Sequence, residues 1–108
     1  MNDYSYGWEK LYSAVRNLAG QGKQRDRLVS ALRSLTSIRT AEAKHHFPKE
    51  MQDEFIGFRK EMTSVESTGE EGTIQATVNS LDEMGVRSAV EKIISFYDTI
   101  CRYREPYR

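Results

Sequence analysis

Thiols and imidazoles are scarce in this chain: one cysteine, Cys101, and one adjacent histidine pair, His45 and His46, in 108 residues. A single cysteine cannot close an internal disulfide, so a reducing, cytoplasmic setting is the expectation. Zinc needs three or four ligands, and a two-iron bundle site needs a Glu-x-x-His pair on each of two helices. Glu42 and His45 supply one such pair, and no further histidine exists to make a second. Glu54, Glu61 and Glu91 fall off the apolar stripes, so no inward carboxylates wait to complete a shell. No metal and no cofactor are expected. Long apolar runs are missing too: nothing approaches the roughly 18 residues that cross a bilayer. The N-terminal "MNDYSYGWEK" has neither the basic nor the apolar segment of a secretory leader. A membrane is therefore not an expected partner.

Catalytic motifs are equally sparse. The serines are scattered, without the glycine-flanked elbow of a nucleophile. "TGEEG", residues 68 to 72, has neither the spacing nor the lysine of a phosphate loop, and its glutamates repel phosphate. Cys101 falls near the C-terminal end of a helix beside its apolar stripe, where a buried structural thiol is expected and not a nucleophile. The chain is not expected to be an enzyme.

What is present is helical periodicity over nearly the whole length, with no alternating strand pattern. Trp8, Leu11, Tyr12, Val15, Leu18 and Ala19 form one stripe and predict a helix over 5–19, closed by Gly20 and Gly22. Leu28, Ala31, Leu32, Leu35 and Ile38 predict a second over 24–39. "AEAKHHFPKEMQDEF", residues 41 to 55, then poses a question, because it holds both histidines and a proline. Phe47 precedes Pro48 and is pushed towards extended geometry, while proline suits a first helical turn. Residues 40–47 therefore read as a joint between helices. A third helix starts at Pro48 and turns Met51, Phe55, Phe58 and Met62 inwards. "VESTGEEGT", residues 65 to 73, is the longest expected loop. A short helix follows over 73–80. Ser80 and Glu83 match a capping box that opens a last helix at Asp82, which carries Val86, Val90, Ile93, Ile94, Tyr97, Ile100 and Cys101. The expectation is an all-α fold: a compact bundle of four main helices plus one short helix, in a single helical domain over 1–108.

Formal charge is zero overall but unevenly spread. Residues 1–49 hold nine Lys or Arg against four Asp or Glu, a balance of +5, and residues 50–108 hold seven against twelve, −5. Asymmetry of this kind can mark a nucleic-acid face. At 100° per residue, however, Lys23, Arg27, Arg33 and Arg39 scatter around the second helix. "MGVRSAVEKIIS", residues 84 to 95, resembles the second half of a helix-turn-helix, with "TIQATVNSL" before it as the first helix. Against it, Leu81 stands where that pattern has a small residue, and Glu91 where it has an apolar anchor. Trp8, Tyr12 and Tyr97 are assigned to the core. Tyr4, Tyr6, Tyr103 and Tyr107 lie off or beyond the stripes, and are the candidate partner-facing residues, since tyrosine is enriched in interfaces.

These features point to a small non-enzymatic protein acting through protein–protein interaction, as an adaptor, inhibitor or regulatory subunit. Its partner would be another protein or a second copy of itself. The alternative is a nucleic-acid-binding regulator using the helix-turn-helix-like segment 73–95 or the Arg-rich second helix.

Overall fold

Apolar residues spaced by three and four do become helices. The computed structural model of the chain describes residues 4–67, 69 and 72–103. Among these, six α-helices run in the order α1 (Ser5–Leu18), α2 (Gln24–Leu35), α3 (Ala43–His46), α4 (Lys49–Met62), α5 (Gly72–Ser80) and α6 (Glu83–Cys101). A 3-10 turn, Thr40–Glu42, leads into α3, and the described residues contain no strand. The fold is all-α, with four long helices and the shorter α3 and α5.

One core joins these elements. Leu11 and Ala14 of α1 meet Leu28, Ala31, Leu32 and Leu35 of α2, while Val78 of α5 and Val86, Ile93, Phe96 and Ile100 of α6 close it. Four phenylalanines tie the joint and α4 to α6. Phe47 and Phe55 lie 4.4 Å apart between ring centres, Phe55 and Phe96 6.0 Å, and Phe58 and Phe96 5.6 Å. Such tilted and edge-on pairs add about 0.5–1.5 kcal/mol each to their burial.

The histidine stretch is a joint, and a well-packed one. Phe47 is extended, at φ −129° and ψ 146°, as the residue before a proline must be, and its side chain is fully buried. Pro48 is the N-cap of α4, and Gln52 Nε2 donates to the Phe47 carbonyl at 2.9 Å. α1 crosses the joint at Gly7, where even a methyl group would run into the His46 carbonyl and the Phe47 ring.

Three boundaries differ from expectation. α2 stops at Leu35, four residues early, because Thr36 and Ser37 turn their hydroxyls onto the Arg33 and Ser34 carbonyls. Ile38 still reaches the core from the following turn. Ser80 caps nothing: its hydroxyl donates back to the Thr77 carbonyl at 2.6 Å. The N-cap of α6 is Asp82, whose Oδ1 accepts the Gly85 N–H at 2.7 Å. Finally, of the two glycines after α1, only Gly22 takes a positive φ, 102°.

Arginines finish several helix ends. Arg27 Nη1 donates to the Leu18 carbonyl at 2.8 Å, and Arg25 Nη1 to the Val78 carbonyl at 2.7 Å. Arg59 spans the end of α2, with Nη2 on the Thr36 carbonyl and Nε on the Ile38 carbonyl, at 2.8 and 2.9 Å. A cation at the carbonyl end of a helix satisfies orphan acceptors and complements the macrodipole.

Candidate functional site

α1 and α6 pack side by side, and their aromatic residues fix how. Tyr4 meets Tyr103 edge-on, with ring centres 5.9 Å apart. Tyr97 lies 6.3 Å from both Trp8 and Tyr12, so it sits between them. Residue numbers rise on one helix as they fall on the other, which makes the pair antiparallel. Trp8 and Tyr12, one turn apart, stack at 4.8 Å with planes only 9° from parallel. The Arg16 guanidinium then lies over the Tyr12 ring, 5.8 Å from its centre. Stacking of this kind is worth about 0.5–1 kcal/mol at an exposed site.

This row is only half sunk into the protein. Trp8, Val15, Val90 and Tyr97 pack their inner sides on the core. Tyr12 is 39% exposed and Ile94 49%. Cys101 is exposed as well. On the α6 helix Val90, Ile94, Tyr97 and Cys101 recur at steps of four, three and four, so they form a single stripe beside α1. The result is an apolar, aromatic strip running along both helices.

Two expectations are corrected here. Tyr12, assigned to the core, lies with its ring partly in solvent, because the core side of α1 is centred on Gly7, Leu11 and Ala14. Cys101, expected to be buried, is exposed, because α6 turns Ala89, Ile93, Phe96 and Ile100 inwards instead.

The Trp8 indole and the Cys101 thiol both lie beside the Tyr97 phenol. Loss of hydration pushes the Tyr97 phenol above its ordinary value, and the Cys101 contact adds to this while the Trp8 donor opposes it. The Tyr103 phenol is also raised, first by lost hydration, then by the negative charge of Glu50 and the hydrogen bond to it.

The four tyrosines singled out from the sequence do not share one place. Tyr4 and Tyr103 extend the strip at its end. Tyr6 is 41% exposed but lies on the other side of α1, its ring 4.8 Å from the His46 ring with Lys10 over it. Tyr107 falls outside the described residues. Ile94 lies about 100° around α6 from the fully buried Ile93, at the edge of the inner face, and is left half exposed.

The remaining features offer little chemistry. Among the described residues no three His, Cys, Asp or Glu side chains gather as metal ligands would. A hollow of about 150 Å³ between α4 and α6 is floored by Phe58, Met62, Leu81 and Ala89, with Glu61 and Lys92 at its edge. In the segment resembling a helix-turn-helix, the link between α5 and α6 is Leu81 and Asp82, and Gly85 lies inside the first turn of α6. No described helix is long and apolar enough to cross a membrane. Compared with protein-family models, curated proteins and solved structures, the chain matches none.

Proposed function

We propose that this is a small non-enzymatic protein that works by binding another protein through the strip on α1 and α6. The observation carrying this is an apolar row along two helices in which Trp8 and Tyr97 are half-buried and Tyr12, Ile94 and Cys101 are exposed. Contiguous exposed apolar area mostly marks an interaction site. Tyr, Trp and Arg, the types found here with Arg16, dominate the energetics of such sites. The nucleic-acid alternative gains no comparable observation, since Arg25 and Arg27 spend their guanidinium groups on main-chain carbonyls.

The test is capture from the native lysate with nuclease present, using the wild type, Ile94→Glu and Arg33→Glu. Both substituted side chains are exposed, so folding is spared. A stoichiometric protein retained by the wild type and by Arg33→Glu, but lost with Ile94→Glu, supports the proposal. Loss with Arg33→Glu alone, together with recovery of nucleic acid when nuclease is omitted, would replace it with the alternative.

A further inference from the structure

We infer that the occupant of the α1–α6 strip is a second copy of this chain, in a two-fold dimer that lays α1 of each copy across α6 of the other. This rests on the strip being a docking surface and adds who docks there. Formal charge is zero, so two copies meet without net repulsion at neutral pH. At one height the two rims of the strip carry opposite signs. By the register that sets Tyr4 on Tyr103 and Tyr97 between Trp8 and Tyr12, Arg16 is level with Glu91. Arg16 is held on the strip by its stacking on Tyr12, and Glu91 is exposed without an ion-pair partner among the described residues.

Two face-to-face pairings have two-fold symmetry, and charge separates them. With the axis across the helices, α6 lies antiparallel on α6. Centred on Ile94, that arrangement sets Glu91 by the partner's Asp98 and Arg87 by the partner's Arg102, like against like. With the axis along the helices, α1 lies on the partner's α6 at unchanged height. Arg16 then faces the partner's Glu91, and symmetry makes the contact twice. Glu9 comes level with the partner's Asp98, which already pairs with Arg102 at 3.5 Å. Tyr12 and Ile94 are covered in the middle. α1 has 14 residues, and at ~1.5 Å per residue and ~10 Å per helix width the face projects to roughly 400 Å². That is small beside the ~800 Å² per partner of a standard interface, so the dimer is a weak, concentration-dependent one.

Sedimentation equilibrium of the full chain, from low micromolar to near millimolar, tests this with four variants: Ile94→Glu, Arg16→Glu, Glu91→Arg and the double charge swap. The wild type should pass from one chain mass towards two, and Ile94→Glu should stay monomeric with an unchanged circular dichroism spectrum. Each single reversal should weaken association by roughly tenfold, and the swap should restore most of it. A wild type that is monomeric throughout overturns the inference, as does a dimer indifferent to Ile94→Glu or a swap no better than its single reversals. A monomeric wild type whose Ile94-dependent capture of another protein persists would sink only this inference and leave the broader proposal standing.

Discussion

Gly7→Ala gives the sharpest prediction about the fold, because two effects oppose each other there. Alanine is favoured over glycine inside a helix by about 0.5–1 kcal/mol. At Gly7, however, an added Cβ would lie 2.9 and 3.0 Å from two Phe47 ring carbons, and nearer still to the His46 carbonyl oxygen. Carbon atoms rest at roughly 3.5–4.0 Å, so the ring must retreat by at least half an ångström. Phe47 is fully buried and packed against Phe55, and the His46 oxygen is main chain, so neither can swing away. α1 would have to lift off the joint. Overpacking of this kind costs about 1–3 kcal/mol, and here the upper part of that range is expected. The control is Gly57→Ala, on the exposed side of α4, where an added Cβ meets nothing within 4 Å. It should stabilise by about 0.5–1 kcal/mol. Thermal unfolding followed by far-ultraviolet circular dichroism should separate the two clearly, since 1 kcal/mol moves Tm by about 4–8 °C in a chain near this size. A Gly7→Ala protein as stable as the wild type would mean that α1 does not press on the joint.

Other expectations follow from single contacts. Leu32→Ala, at the centre of α2 and essentially unexposed, should lose about 2–5 kcal/mol in urea unfolding. Asp82→Ala should cost about 0.5–2 kcal/mol through its lost cap, while Ser80→Ala should stay within about 0.5 kcal/mol; the reverse ranking would restore the Ser80 box. Arg59→Met should cost about 1–3 kcal/mol by stripping partners from two carbonyls beyond α2, whereas Arg33→Met should do almost nothing. The Tyr97 and Tyr103 phenols are raised in the folded chain, so folding favours their protonated forms. Their contribution is complete below the unfolded value near 10 and is lost as pH rises through the folded values. Ultraviolet titration of phenolate, native against urea-unfolded, should show two tyrosines ionising later in the native chain, and coincident curves would contradict this.

How far the sequence carried can be read at particular residues. α1, α4 and α6 were legible because Leu11 and Ala14, then Met51, Phe55, Phe58 and Met62, then Val86, Ile93 and Ile100 repeat at three- and four-residue steps. The end of α2 was not. Ile38 continues the step from Leu35, while the guanidinium that holds the chain in a different path, Arg59, lies 21 residues from Ile38. Ser80 and Asp82 are both good caps by residue type, and only the hydrogen bond from Ser80 to Thr77 decides between them. The strip was half legible. Its aromatic content was visible, but periodicity identifies an apolar side of a helix without saying where a neighbouring helix stops covering it. Tyr12 and Cys101 lie at that limit, on the edges of their stripes, and both emerged exposed.

Because Cys101 is the sole cysteine and lies on the strip, it reports directly on whether that surface is covered. The decisive measurement is the rate of Cys101 alkylation by a small maleimide, in dilute purified protein and again in native lysate or at high protein concentration. A binding surface along α1 and α6 predicts fast labelling when dilute and clear protection when a partner or second copy is present, with protection abolished by Ile94→Glu. Equal rates under all three conditions would mean that nothing docks on the strip, and would contradict the account.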